Sequence, residues 1–179
     1  IVTIYLLLKG IRAKMSFLGK VKKKLRNGSW YPFYNTLYEK NNLDPHMILL
    51  ESRSGKALES NILSLLKELS REPYQNFNLV LSVRKNAENE IKEKLQKNSI
   101  QGVRFVRTGS VAYYHALSRA GYLVNDTSFP GRFIKKEGQI YLNTWHGTPL
   151  KKMGRDNRPE MVTMGNVQRN LLDSDYLVF

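Results

Sequence analysis

The chain has 179 residues, 41% of them hydrophobic, and no cysteine. That size and composition suit one domain with a proper core, or one domain with an appendage, and exclude global disorder; the lack of cysteine excludes disulfides and thiolate metal sites and fits a reducing compartment. With 29 Lys and Arg against 15 Asp and Glu the net charge is +14, which calls for an anionic partner: nucleic acid, an acidic membrane or a polyanionic substrate.

The chain begins at Ile1 rather than Met and stops at Phe179 inside an apolar run. It is therefore expected to be part of a longer protein with a further C-terminal portion. Residues 1–40 form a distinct first segment. They hold nine basic residues and one acid, Glu39, so nine minus one gives +8, more than half of the total charge. Apolar residues from Ile4 to Leu25 are interleaved with the bases, and an aromatic cluster follows at Trp30, Tyr31, Phe33, Tyr34 and Tyr38. A basic, amphipathic, aromatic stretch of this kind predicts a helix lying on an anionic bilayer surface. The run Ile1 to Leu8 is too short to span a membrane unless it is the tail of a longer segment, and no small-residue cleavage site follows it. A solvated linker that packs a few residues on the domain is the plainer alternative.

From Asn41 onward the text alternates between strand and helix. A turn-rich entry, Asn41 to Pro45, leads to an apolar strand at Met47 to Glu51 and a loop at Ser52 to Gly55. Leu58, Ile62, Leu65, Leu66 and Leu69 keep helical spacing, so residues 58–70 are predicted to be an amphipathic helix. Phe77 to Val83 is the second strand. Asn86 is placed to cap a helix with Glu88 and Glu90 early and Lys92, Lys94 and Lys97 late, matching the helix dipole. Val103 to Val106 is a third strand, and Thr108 to Ser110 turns into a helix over Val111 to Ala120 with Gly121 as its stop. Strands at Tyr122 to Asn125 and Ile140 to Thr144, a helix over Val167 to Leu172 and a strand at Tyr176 to Phe179 complete the series. Short apolar strands alternating with helices predict an α/β, Rossmann-like parallel sheet with helices on both faces. The two expected units are residues 1–40 and 41–179.

Parallel sheets bind ligands at the carboxyl ends of their strands. The loops there are Ser52 to Lys56, Arg84 to Asn86, Thr108 to Ser110, Asp126 to Gly131 and Trp145 to Thr148. They are rich in Ser, Thr, Gly, Arg and Lys and poor in acids, a rim that favours phosphate. No loop carries a G-x-G-x-x-G or Walker A pattern, and no His, Asp and Glu cluster has metal-ligand spacing. The stretch Ile140 to Gly154 stands out. Its first half reads as a strand. Its second half opens a helix, with Thr148 as N-cap and Pro149 at the first helical position. His146 is the one titratable residue at the turn, Gly147 allows close backbone approach, and Lys151 and Lys152 add positive charge one turn later. A base, free N–H groups at a helix start and cations suit a phosphate-bearing substrate. Asn125 and Asp126, at the end of the fourth strand, join Gly147, Thr148 and Lys151 as candidate phosphate- or substrate-binding residues, Asp126 either capping a turn or orienting the substrate. His46, His115, Tyr113, Tyr114 and Trp145 read as packing residues.

Tyr141 to Gly154, Tyr-Leu-Asn-Thr-Trp-His-Gly-Thr-Pro-Leu-Lys-Lys-Met-Gly, resembles the signature of the CDP-glycerol glycerophosphotransferases, the teichoic acid primases and polymerases. Tyr122 to Pro130 and the helix Ser110 to Leu117 resemble the same family, and the likeness covers roughly residues 45–179. It implies the N-terminal, acceptor-side domain of a GT-B fold, with the nucleotide-binding domain beyond Phe179, so that this chain alone would be inactive. It also implies transfer of glycerol phosphate or ribitol phosphate from CDP-glycerol or CDP-ribitol to a hydroxyl of a polyanionic, teichoic-acid-like polymer of cell wall or capsule. CMP would leave, and no cofactor or metal would be needed. His146 would be the catalytic base. The family's basic N-terminal segments agree with residues 1–40 on an anionic membrane, which implies a peripheral protein on the cytoplasmic face of the bacterial membrane. The alternative class is a non-catalytic basic module that binds membrane or nucleic acid. No helix-turn-helix, RNP or zinc pattern supports nucleic acid, and an adaptor leaves the Trp145 to Thr148 string without a purpose.

Overall fold

The computed structural model describes residues 33–145 and 164–178. Six parallel strands make one sheet: β1 (Asp44–Glu51), β2 (Asn78–Val83), β3 (Arg104–Arg107), β4 (Ala120–Asn125), β5 (Ile140–Asn143) and β6 (Tyr176–Leu177). Their order across the sheet is β3-β2-β1-β4-β5-β6. The chain starts in the middle, winds outward through β2 and β3, then crosses back to β4 on the other side of β1. That is the order of a doubly wound, Rossmann-like sheet, and its direction reverses between β1 and β4.

Strand alternation explains the two layers. Met47 and Leu49 of β1, Val80 of β2, Val106 of β3, Leu123 of β4 and Tyr141 of β5 point to one face. There they meet Tyr113, Tyr114, Ala116 and Leu117 of α4 (Val111–Arg119). Ile48, Leu50, Leu79, Leu81, Val83 and Val124 point to the other face. They meet Leu58, Ile62 and Leu66 at and within α2 (Ser60–Leu69) and Ile91 and Leu95 of α3 (Glu88–Lys97). Each such side chain contributes about 1.5–3 kcal/mol when fully buried, which is why a period of two in the strands and of 3.6 in the helices decides the layering. Residues 33–40 are helical (α1). They bury Tyr34 and Leu37 on the α4 side, Tyr34 standing edge-on to Tyr114 with ring centroids 5.9 Å apart. Helix α5 (Met164–Asp173) packs on that side too, through Asn170, which is fully buried. The remaining sequence of residues 1–40, up to residue 32, lies outside the described residues, as does the helix expected from Thr148.

Two local expectations need correcting. Gly121 is not a helix stop. Helix α4 ends at Arg119, and Ala120 is already extended (φ −60°, ψ 126°). Gly121 lies inside β4, where an added Cβ would stand 2.9 Å from the Asp44 carbonyl oxygen, so glycine is needed for the close approach of β4 to β1. Asn86 does not cap α3. Lys85–Ala87 form a 3-10 turn, Ala87 takes the cap position, and no side chain closes it. The charge pattern holds, with Glu88 and Glu90 in the first turn and Lys94 and Lys97 in the last. The cap of α4 is made by Ser110, whose Oγ accepts from Tyr113 N at 3.2 Å.

Candidate functional site

Because all strands run the same way, the loops after β1, β2, β3, β4 and β5 share one edge of the sheet. The reversal between β1 and β4 opens a crevice at that edge. Asp126, first residue after β4, reaches across it: Oδ2 accepts from Ser52 Oγ at 2.8 Å and Oδ1 from Arg53 N at 2.8 Å. Ser52 Oγ in turn accepts from Glu59 N at 3.2 Å, which ties the loop to the start of α2. The loop itself is tightly wound. Arg53, Ser54 and Gly55 all have left-handed dihedrals, at φ +49°, +53° and +75°. Gly55 is obligatory on two counts, since its φ favours glycine and a Cβ there would run into Thr108 Oγ1. Arg84 Nε donates to Ser54 O at 3.0 Å, joining the loop after β2. Arg53, Ser54, Lys56, Ala57, Glu59 and Thr127 line a polar pocket of about 350 Å³ at this rim.

Beneath the rim runs a row of polar side chains, of which the sequence reading singled out only Asn125. Glu51 is in register with Ser82 of β2 and with Asn125 of β4, and Asn125 with Asn143 of β5. Register partners point to one face, here the α4 side, and all four residues are buried. Ser82 Oγ is paired with Thr108 Oγ1 at 2.8 Å. Glu51 is 2% exposed. Burial pushes its carboxyl up to about 7, and the nearby Asp126 carboxylate adds to the rise, while Ser82, Tyr113 and the Arg84 guanidinium pull the other way. The Tyr113 phenol is pushed well above its ordinary range by burial and then by Glu51. It lies close to the carboxyl without a well-formed hydrogen bond. Glu51 Oε2, Tyr113 OH and Asn125 Nδ2 have no hydrogen-bond partner among the described residues, an unusual concentration of unmet polar atoms. An acid ending an apolar run, at the carboxyl end of a central parallel strand, is the signal that points to Glu51 in retrospect.

A second network holds the end of β5. Tyr141 OH donates toward Asn125 Oδ1 at 2.9 Å and Asn170 Oδ1 at 3.2 Å, and Asn143 Nδ2 donates to Thr127 O at 3.0 Å and Tyr141 OH at 3.2 Å. Asn143 Oδ1 accepts from Trp145 N at 2.9 Å. Thr144 N donates to Asn125 O at 2.8 Å, and Asn61 Nδ2 to Thr144 O at 3.1 Å. Trp145 is 7% exposed and left-handed at φ +42°.

The crevice thus brings together Asn125 and Asp126 of the expected site residues, both buried, with Trp145 at the neighbouring strand end. His146, Gly147, Thr148, Lys151 and Lys152 lie outside the described residues. His46 and His115 are elsewhere: His46 stacks near Phe77, centroids 6.0 Å apart, and His115 Nδ1 lies 3.3 Å from Asn41 Nδ2. Among the described residues no group of three His, Cys, Asp or Glu could hold a metal ion, and no helix is long and apolar enough to cross a membrane. An apolar groove of about 420 Å³ lies on the α2 face, lined by residues such as Leu65, Tyr122 and Leu142. It carries none of the polar groups described above.

Comparison with known proteins agrees with this arrangement. The profile of a family described as CDP-Glycerol:Poly(glycerophosphate) glycerophosphotransferase matches residues 33–179. The teichoic acid poly(glycerol phosphate) polymerase of Staphylococcus epidermidis is 31% identical over 69% of the chain and 16% of its own length. The protein of the same name from Bacillus subtilis is 29% identical over 80% of the chain and 19% of its own length. The teichoic acid glycerol-phosphate transferase of Staphylococcus aureus is 31% identical over 75% of the chain and 32% of its own length. The chain therefore spans a sixth to a third of these relatives. Among solved structures, the wall teichoic acid polymerase TagF superposes with a TM-score of 0.63 at 26% identity, over 89% of this chain and 41% of that one. A histidine-to-asparagine variant of it soaked with CDPG gives 0.64 at 28% identity, over 82% and 36%. With a six-stranded doubly wound sheet, a polar crevice at its switch point and a family match over residues 33–179, this chain belongs to the CDP-glycerol:poly(glycerophosphate) glycerophosphotransferase family.

Proposed function

We propose that this chain is the acceptor-side part of a GT-B transferase that moves glycerol phosphate from CDP-glycerol to a hydroxyl of a teichoic-acid-like polymer. The family match over residues 33–179 carries the reading, and the relatives' names, polymerases and a transferase of glycerol phosphate, support it. CDP-ribitol is the second donor to test. In the reaction the acceptor hydroxyl oxygen bonds to the phosphorus that bears the polyol, the bond from that phosphorus to the bridging oxygen breaks, and CMP leaves with the bridging oxygen. The hydroxyl proton goes to His146, acting as the general base. The backbone N–H groups after Gly147, the Thr148 hydroxyl and Lys151 stabilise charge on the phosphoryl oxygens. Asn125 and Asp126 support the same crevice. Asp126 does so by fastening the β1 loop across it.

The +8 carried by residues 1–40 holds the protein on the anionic cytoplasmic face of the bacterial membrane, where its polyanionic acceptor grows. The test is CMP release by the full-length gene product with lipid vesicles, supplied with CDP-glycerol or CDP-ribitol and a teichoic-acid-like acceptor. Release with one donor fixes reaction and polyol. No release with either, from folded protein, refutes the transferase reading. His146→Ala should lower turnover by about 10²–10⁴-fold, the usual worth of a general base, with an unchanged melting temperature. Unchanged turnover would exclude His146 as the base.

A further inference from the structure

We propose that the pocket beside the β1 loop, walled by Arg53, Ser54, Lys56, Glu59 and Thr127, is a subsite for the acceptor polymer, holding one of its phosphodiesters together with the polyol next to it. This deepens the function proposed above and rests on its reading of the acceptor as a polyol phosphate chain. The pocket straddles the switch point. Residues from Arg53 to Glu59 wall it beyond the end of β1, and Thr127 walls it beyond the end of β4, around a volume of about 350 Å³. Ser54 Oγ and Thr127 Oγ1 stand 3.4 Å apart across that junction.

The chemistry of the lining selects the ligand. Arg53 and Lys56 supply two positive charges, both on exposed residues. Ser54 and Thr127 supply hydroxyls that donate to phosphate oxygens or pair with a polyol. Glu59 sits among them, its carboxylate 3.6 Å from Arg53 Nε. The two side chains of that pair are 48% and 49% exposed, so the pair contributes little to stability and serves to fix where the guanidinium points. A carboxylate in the wall accepts hydrogen bonds from a polyol and repels a second negative charge. Two cations, one anion and two hydroxyls therefore fit a ligand with a single charge on each phosphate and hydroxyl-bearing carbons between phosphates. That describes a polyol phosphodiester chain rather than the diphosphate of a nucleotide.

The loop is held in shape before any ligand arrives. Arg53, Ser54 and Gly55 are left-handed in succession, at φ +49°, +53° and +75°. Such a strained run persists only where its surroundings impose it, and it collects at ligand clamps. Here the surroundings are bonds from both neighbouring strand ends. Arg53 N donates to Asp126 Oδ1 at 2.8 Å, Arg84 Nε to Ser54 O at 3.0 Å, and Arg84 N to Gly55 O at 2.7 Å. A wall fixed in this way loses little freedom when it binds.

The test uses the full-length protein, with kcat, acceptor KM and donor KM read from CMP release. Calorimetric binding of a short poly(glycerol phosphate) chain, with no donor present, gives a second readout. Arg53→Gln and Lys56→Gln should each raise acceptor KM about 3–10-fold, and the two together about 10–50-fold, as charge-assisted bonds at a half-exposed site are lost. The kcat at saturating acceptor and the KM for CDP-glycerol should stay within about 3-fold of wild type. The calorimetric Kd should rise in step with acceptor KM. Glu59→Gln should make inorganic pyrophosphate a stronger competitor of the acceptor by about 3–10-fold, since a repelling charge has gone. Unchanged acceptor KM and Kd in the double variant overturn the inference. A rise confined to donor KM overturns it too, because the pocket then holds the donor. Lys56→Gln, outside the left-handed run, decides alone if Arg53→Gln does not fold. If the wild-type protein releases no CMP, the transferase reading falls and calorimetry judges the pocket. Chain binding that the double variant loses then supports a polyol phosphate site; binding that it keeps, or none by the wild type, overturns it.

Discussion

Replacing Glu51 by Gln should stabilise the protein above pH 7 and leave it little changed near pH 5. The folded carboxyl titrates at about 7, against an ordinary value of 4.5, because burial disfavours its charge. Between those two values the unfolded chain has released the proton and the folded chain still holds it. Stability therefore falls as pH rises from about 4.5 through about 7 and is level above. At about 1.4 kcal/mol for each pH unit, the span amounts to about 3 kcal/mol, most of it between pH 5 and pH 8. Gln is neutral throughout and nearly isosteric, so the difference between variant and wild type should grow by about 2–3 kcal/mol from pH 5 to pH 8. At about 2–4 °C per kcal/mol for a chain of this size, that is a shift of about 4–12 °C in melting temperature. Urea unfolding of both proteins at the two pH values measures it, and titration of other groups cancels in the comparison. A difference between the two proteins that does not change with pH would refute the assignment of a raised pKa to Glu51.

Gly55→Ala should destabilise by about 2–4 kcal/mol, from left-handed strain plus the collision with Thr108 Oγ1. Gly102→Ala has nearly the same φ, +73°, but open space around the new methyl, so it should lose only about 1–2 kcal/mol. Equal losses in urea titrations would show that the Thr108 contact is immaterial. Asn170→Ala removes the acceptor of Phe129 N (2.8 Å) and a partner of Tyr141 OH (3.2 Å) in a fully buried site. A loss of about 2–4 kcal/mol is expected from the unsatisfied groups left behind. A loss below about 0.5 kcal/mol would mean that water replaces the amide.

The strands and helices were legible because their signals are local. Short continuous apolar runs place β1, β2 and β4 to within a few residues, and the Leu58 to Leu69 spacing places α2, since each pattern needs only neighbours to declare itself. The place of Asn125 and Asp126 at the end of β4 was legible too, because they are the polar residues that follow its apolar run. Of the misread stop and cap, Gly121 is a position where a local preference lost to a long-range contact, while at Asn86 a 3-10 turn over Lys85–Ala87 moves the cap to Ala87. Gly121 answers to the Asp44 carbonyl, not to the helix behind it.

What the sequence determined by itself is the α/β alternation, the basic charge and the signature around His146, all of which can be read along the chain. The tertiary structure alone decided the strand order, the switch point between β1 and β4 and the transverse row Ser82, Glu51, Asn125 and Asn143. Ser52 and Asp126, 74 residues apart, become hydrogen-bonded only when β4 settles beside β1. The raised pKa of Glu51 has the same origin, because desolvation is a property of the packed layers around a side chain and not of its neighbours in sequence.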